Sequence, residues 1–410
     1  MTKSLIILLL FYFFIFQLSA QTNLEGKINF ENKPKSNVAV YLNNTTTGTI
    51  TNKNGEFNLK VNNGVYQLII SHIGFQTIKY NFNTSTYTKP LEFSLLEEES
   101  LLDEVVINAK ENNEEWKYNF SVFIREFIGT SEFSKSCTIQ NPKVLFFEYD
   151  SKNNILTAEA IAPLHIKNEA LGYDIFYDLK RFSIEKKITK YLGFSYFKEL
   201  KGSRTKWKKW KKNRLKAYNG SQIHFYKSVL KNSSQKEGFV INQFVRKKNK
   251  DRPSQEKLAN ARKMLTKLNV PINFLKKIDT PKNSIDSALI TLKKGKLLKY
   301  IDYLYKSEIA SSDIIHEENN QTYLQFDNNL RIVYLKEKEE KGYILRNPFS
   351  KPRKAFPQAS NIIPLAEKFI IYSSGILANP LDILYEEYWS YEKFAHSLPL
   401  DYEPNNENLK

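Results

Sequence analysis

The chain has 410 residues, 41% of them hydrophobic, a formal net charge of +17 and a single cysteine, Cys137. A chain of this length can build its own hydrophobic core, and one cysteine excludes an internal disulfide, so Cys137 is expected as a small core residue. The charge is local: Thr22–Ile107 carries −2, whereas everything from Asn108 onward carries +18.

Lys3 precedes an unbroken apolar run of 12 residues, Leu5 to Phe16, and then Gln17-Leu18-Ser19-Ala20. A charged start, a short apolar stretch and a small residue at its exit predict a secretory signal peptide over 1–20. The run is short of the ~20 residues that a membrane-spanning helix needs. No cysteine follows it to take a lipid anchor, and no later segment is long and apolar enough to span as a helix. The expectation is an exported chain, periplasmic or peripheral to the outer membrane.

From Thr22 to Ile107 short alternating runs are separated by turn residues. EGKINF, VAVYLN, TGTIT, EFNLKV, VYQLIIS, FQTIKYNFN, PLEFSL and EVVI read as about seven strands. Asn54-Gly55 and Asn62-Asn63-Gly64 are hairpin signals, because Asn and Gly tolerate the positive φ of tight turns. The pattern predicts an all-β sandwich.

These residues resemble the carboxypeptidase regulatory-like domain. The marks are Gly26 near the start, the G-T-x-T-x-x-x-G-x-F hairpin from Gly48 to Phe57, Ile73-Gly74-Phe75, and the closing LLDEVVI that ends at Ile107. The resemblance covers 22–107 and implies a transthyretin-like sandwich. Asn52 stands where the family usually has Asp, which argues against a calcium loop. Such domains open outer-membrane transporters of the TonB-dependent type and many uncharacterised exported proteins. The chain that follows is too short for a transporter barrel of some twenty strands.

The region 108–410 mixes both periods. EEWKYNFSVFIREFIG places Trp116, Phe120, Phe123 and Phe127 at helical spacing. Strand patterns fill Val144 to Phe197, broken at Asn153-Asn154 and Gly172, which predicts an antiparallel meander. SQIHFYKSVLKN reads as a helix capped by Ser221. PSQEKLANARKMLTKL puts Leu258, Ala261, Leu265 and Leu268 on one helical face, with Pro253 in the first turn. SALITLKK, KLLKYIDYLY, TYLQF and LRIVYLKE read as strands, the last two separated by a turn at Asp327-Asn328-Asn329. The expected fold is a larger α+β domain with an antiparallel sheet. CTIQNP, ALGYDIFYDL, AYNGSQIHF and YWSYEKFAHSLPLDYEP also resemble the C-terminal part of those uncharacterised exported proteins, which carry an acid where His396 stands here. That resemblance implies no activity.

Catalytic motifs are missing. A zinc carboxypeptidase needs H-x-x-E and a distant His, but Phe75, Asn168, Lys227, Asn319 and Pro399 follow the five histidines at that spacing. His316-Glu317 lacks the second His of H-E-x-x-H. There is no G-x-S-x-G elbow, no P-loop and no G-x-G-x-x-G. Ser221 with His224 is better read as a helix cap than as a nucleophile and base. Glu386, Glu387 and Asp401 are acids that a glycan hydrolase would need to converge. Neither a cofactor nor a metal is expected.

The most unusual stretch runs from Lys198 to Lys216, with 10 Lys or Arg in 19 residues against one acid, Glu199. A second cluster, RKKNKDR, spans Arg246–Arg252. Trp207 and Trp210 are three apart and share a helix face. They are expected to hold that helix against the sheet, while Lys206, Lys208, Lys209, Lys211, Lys212 and Arg214, with the rings, offer contact to an anion. Export argues against nucleic acid. The polyanions then available are lipid headgroups, lipopolysaccharide phosphates and acidic proteins. The expected role is a non-catalytic envelope interaction or assembly protein; the alternative is a glycan-binding protein or glycan-acting hydrolase.

Overall fold

The computed structural model describes residues 21–98, 114–275, 277–347 and 353–404. The expected signal peptide, the LLDEVVI strand and the expected boundary at 107/108 lie outside the described residues.

The first body is a sandwich of two sheets. One holds β1 (Gln21–Phe30), β2 (Lys33–Pro34), β5 (Glu56–Asn62) and β8 (Leu91–Ser94); β8 runs parallel to β1. The other holds β3 (Ala39–Leu42), β4 (Gly48–Ile50), β6 (Val65–Ser71) and β7 (Ile78–Asn83), in the order β4-β3-β6-β7. Strand alternation turns Leu24 and Ile28 of β1, and Phe57, Leu59 and Val61 of β5, into a shared core with Val40, Leu68 and Ile70. Gly26 faces Phe57 across the ladder, and a Cβ there would come within 2.6 Å of that ring. The Asn52 side chain accepts from the amides of Asn54 and Glu56, so it is used up in shaping the hairpin turn.

The second body is a six-stranded antiparallel sheet of β9 (Cys137–Ile139), β10 (Leu145–Asp150), β11 (Ile155–Ala160), β12 (Leu164–Asn168), β13 (Tyr173–Glu185) and β14 (Ile188–Glu199). It is not a simple meander. β13 is long enough to pair with β14 on one edge, and on the other with β12 along its first half and β11 along its second. Helix α1 (Glu114–Phe127) lays Phe123 and Phe127 on this sheet, and Cys137 lies in the same core.

Helices α2 (Arg204–Tyr218), α3 (Gln222–Leu230) and α4 (Ser234–Glu237) lead to a second antiparallel sheet rather than an extension of the first. It is built from β15 (Phe239–Lys248), β16 (Tyr300–Lys306), β19 (Asn329–Lys338), β20 (Pro357–Pro364) and β22 (Ile383–Glu387), in the order β16-β15-β19-β20-β22. β17 (Ile315–Glu318), β18 (Gln321–Leu324) and β21 (Phe369–Ile370) form a small third sheet. Phe225 and Val229 of α3 pack on the five-stranded sheet with Trp389.

Between β15 and β16 the chain makes a helical pair, α5 (Gln255–Lys267) and α6 (Ser284–Lys294). The SALITLKK segment, expected as a strand, is therefore a helix. Asn283 caps it by accepting from the Asp286 amide, and Ala288, Leu289 and Leu292 meet Leu258, Ala261 and Leu265 of α5. An apolar run this short fits either period, and the partner helix selects the helical one. Pro253, expected in the first turn of α5, lies one residue before its Ser254 cap, and Leu268 is half exposed beyond its end. The last short helices are α7 (Lys341–Ile344) and α8 (Tyr388–Glu392).

The sandwich docks on β14. The Asn44 amide donates to the Ser195 carbonyl at 2.7 Å, the Phe197 amide to the Thr45 carbonyl at 3.0 Å, and Ser195 Oγ to Asn44 Oδ1 at 2.5 Å. Asp401, from the far end of the described chain, accepts from the Thr46 amide at 3.0 Å. Tyr41, Ile69 and Phe194 pack around this seam. Replacing Ser195 by Ala leaves the part-buried Asn44 Oδ1 without that donor, and should cost about 1 kcal/mol in guanidinium unfolding; an unchanged midpoint would show that this hydrogen bond contributes nothing to stability.

Candidate functional site

The inner face of α2 is an anchor. Ser203 caps the helix by accepting from the Lys206 amide. Trp210, 4% exposed, donates its indole N–H to the Glu169 carbonyl at 2.9 Å. Asn213 Nδ2 donates to the Ala170 carbonyl at 2.8 Å. Arg214, 2% exposed, donates from Nε to the Leu171 carbonyl at 2.8 Å, from Nη2 to the Gly172 carbonyl at 3.2 Å and from Nη1 to Glu199 Oε1 at 3.0 Å. Its guanidinium lies 4.0 Å from the centre of the Tyr173 ring. One helix face thus satisfies four successive carbonyls of the turn between β12 and β13. That turn needs Gly172, which has φ +75 and would carry a Cβ 2.3 Å from the Trp210 ring.

The structure therefore divides the expected contact set. Lys206, Lys208, Lys209 and Lys212 are exposed and form no ion pair among the described residues. Lys211 and Trp207 are half-buried. Arg214, expected on the contact surface, faces inward, and so does Trp210, whose ring holds the helix against the sheet. A buried guanidinium with three acceptors and two rings around it cannot serve an external anion. The helix contains no acid, and its first turn carries cations where the helix dipole favours anions. The second basic cluster is partly spent, since Arg246 forms paired hydrogen bonds with both Asp302 and Glu386.

An open cleft of about 710 Å³ lies between the tip of the β13–β14 hairpin, the end of α1, and β22 with α8. Glu386 and Glu387 line it together with Glu126, Arg346 and Lys393; Asp401 does not. None of these acids is poised for catalysis. Adjacent strand residues point to opposite sides: Glu386 goes to Arg246, whereas Glu387 accepts from Tyr343 Oη at 2.6 Å and Arg346 Nη2 at 2.8 Å. Burial raises the Glu387 carboxyl, but those donors outweigh it and hold the group below its ordinary range. Glu126 is likewise held low, burial being outweighed by Arg125 and Lys393. A glycosidase's general acid needs the opposite shift. Two residues of the wall, Glu387 (φ 64, ψ −125) and Lys393 (φ 53, ψ −164), bracket α8 in backbone conformations that L-residues rarely adopt.

Behind this wall lies a cluster with no sequence signature. His396 Nε2 is 2.9 Å from Ser131 Oγ, and Nδ1 is 3.8 Å from Glu392 Oε1. The order mimics a serine hydrolase relay. However, Ser131 is fully buried, Phe133 lies across the imidazole, and neither Ser131 nor His396 lines the cleft. Burial holds His396 down at about 3 and lifts Glu392 well above the carboxylate range. This is a packed polar knot. Ser221 and His224 also do structural work: Ser221 Oγ caps α3 by accepting from the His224 amide, and His224 Nδ1 accepts from the Gly220 amide. Among the described residues no group of three His, Cys, Asp or Glu could hold a metal ion.

Residues 24–107 match the family described as CarboxypepD_reg-like domain. This part of the chain is therefore a carboxypeptidase regulatory-like sandwich. No curated protein matches the chain. Among solved structures, a type II cohesin–X-dockerin complex from Acetivibrio cellulolyticus is similar at 22% identity and a TM-score of 0.17, over 18% of this chain and 58% of that one. A DUF3823 family protein from Bacteroides ovatus is similar at 10% identity and a TM-score of 0.15, over 45% of this chain and 83% of that one. This chain thus spans little more than half of the cohesin–dockerin chain, and neither overlap is close enough to carry an argument.

Two outcomes follow from this geometry. Gly172→Ala drives a methyl group into the Trp210 ring at a positive φ and should destabilise the protein by about 2–4 kcal/mol in chemical unfolding. A raised carboxyl pKa means that the folded state holds a proton the unfolded chain has lost, so stability falls as pH rises past the unfolded value of about 4.3. Glu392→Gln removes this penalty. The variant should match the parent near pH 4 and be the more stable of the two at pH 7.5, with a gap that grows between those limits in urea titrations.

Proposed function

We propose that this chain is a non-catalytic interaction or assembly protein of the cell envelope, working at the periplasmic side of the outer membrane through the basic face of α2. One observation carries the reading: four exposed lysines with no ionic partner among the described residues stand on a helix whose opposite face is locked to the sheet. Packing them together costs mutual repulsion, and the cations of the first turn also oppose the helix dipole. Neither cost has a structural return, because the anchoring is done by Trp210, Asn213 and Arg214. An external anion provides that return. Lipid headgroups, lipopolysaccharide phosphates and acidic protein surfaces offer the required charge. The apolar start of the sequence supports export, and the domain type at 24–107 is non-catalytic.

A second reading attaches to the cleft. Its carboxylates and cations, with Ser390 on the same wall, suit a polar ligand such as a glycan. The pairing of every acid there favours holding such a ligand over cleaving it.

The test is sedimentation of the purified protein with vesicles of its own outer membrane. Binding should be present at low salt and fall severalfold at 1 M salt, where the screening length shrinks to ~3 Å. It should be lost when Lys206, Lys208, Lys209 and Lys212 are all changed to Gln. Absence of binding at either salt concentration would overturn the reading and turn attention to glycan arrays for the cleft.

A further inference from the structure

β16 is an edge strand of the five-stranded sheet, pairing with β15 alone. Its regular register runs from Tyr300 to Leu304, and a bulge interrupts the ladder beyond. Edge strands in soluble proteins are ordinarily blunted by being short or by carrying charge and proline, because their unpaired amides and carbonyls are a template for another strand. Here the strand's one lysine, Lys306, lies beyond the bulge, and the regular stretch presents large apolar side chains. Tyr300 and Leu304 on one face, and Tyr303 and Tyr305 on the other, are between 44% and 57% exposed. Leu298, just before the strand, is 75% exposed. The one acid within the strand, Asp302, is spent on Arg246.

The charge around this edge says what can cover it. Lys247, Lys248, Lys250, Lys299 and Lys306 surround the strand and are exposed. A second copy of the chain, paired edge to edge, would bring these lysines against their counterparts, and like charges across a strand pair are destabilising. A chain with apolar residues alternating with acids meets both requirements: its backbone completes the ladder, its apolar side chains cover the exposed side chains of one face, and its carboxylates, on the other face, reach the lysines.

We infer that the β16 edge is a strand-addition site for an extended, acidic segment of a partner polypeptide. The site lies on a different element from the basic face of α2 and stands independently of the function proposed for that face.

The test uses the whole protein and a fluorescent ten-residue peptide of alternating Glu and Val, blocked at both ends, at neutral pH. A counterpart with Lys in place of Glu serves as control. The acidic peptide should bind and slow amide hydrogen exchange across 300–304, whereas the lysine peptide should do neither. Tyr303→Glu with Leu304→Glu removes the apolar surface and places on the strand charges that repel the peptide's carboxylates, and should weaken binding at least tenfold. Tyr303→Thr with Leu304→Thr keeps strand propensity while removing the apolar surface, and should weaken binding in the same direction with an unchanged circular dichroism melt. Equal binding to parent and both variants, or binding without protection of 300–304, would overturn the inference. So would either of two alternative readouts: phosphatidylglycerol vesicle binding lost in these variants, which marks a membrane surface, or a dimer in sedimentation equilibrium that the variants abolish, which marks self-association.

Discussion

The architecture turns on the grip that α2 exerts on the carbonyls of residues 169–172. A tight turn between two buried strands exposes a row of acceptors, of which only the Gly172 carbonyl is also met from the end of β14, by the Leu200 amide, and buried acceptors left bare are costly. Trp210, Asn213 and Arg214 supply the donors from one helix face. The same contact draws in Glu199 at the end of β14, so it also fixes where the long β13–β14 ribbon stops. The sandwich is attached to that ribbon through Asn44, Thr45 and Ser195, and α3 follows directly from α2. The positions of the sandwich, the first sheet and the second sheet therefore all refer back to this clasp.

The clasp also sorts the charge of the basic run. A guanidinium can be buried when its donors are matched one by one and its plane is stacked, which is what Arg214 achieves between backbone carbonyls, Glu199 and Tyr173. An ammonium on a flexible stem has no such fixed fork, and the lysines of the outer face stay in water. A stretch that reads as uniform positive charge thus becomes a helix with two structural cations, Arg214 and Lys216, the latter paired with Glu340 at 2.6 Å, and a face of solvated ones. The cleft shows the complementary case: its acids are numerous, yet each is held by an Arg, a Lys or a Tyr, so proximity in sequence and in space still yields no group poised to move a proton.

Much of the fold was legible in the residues. The sandwich strands follow from strict alternation bounded by Asn and Gly, and Gly26 and Gly55 sit where a ring or a tight turn leaves no room for a side chain. The Ser221 cap, the α1 face of Phe123 and Phe127, and the antiparallel character of the second region were equally visible. The SALITLKK helix was not, because five apolar or small residues in a row satisfy both periods until α5 is present to select one. Nor was the division of the second region into separate sheets, since the point where β13 exchanges β12 for β11 leaves no composition signal.

By itself the sequence determined the sandwich, the local elements, the segregation of positive charge into the second region, and the absence of the common catalytic motifs. These follow from near-neighbour chemistry: period, turn propensity and spacing. Only the tertiary structure decided which of the eight residues of the basic contact set face outward, that Asp401 braces the sandwich instead of joining Glu386 and Glu387, and that Ser131, Glu392 and His396 meet behind a wall. Those outcomes depend on partners up to 355 positions apart. Burial and hydrogen-bond matching at such separations are properties of the packed chain, and no local pattern records them.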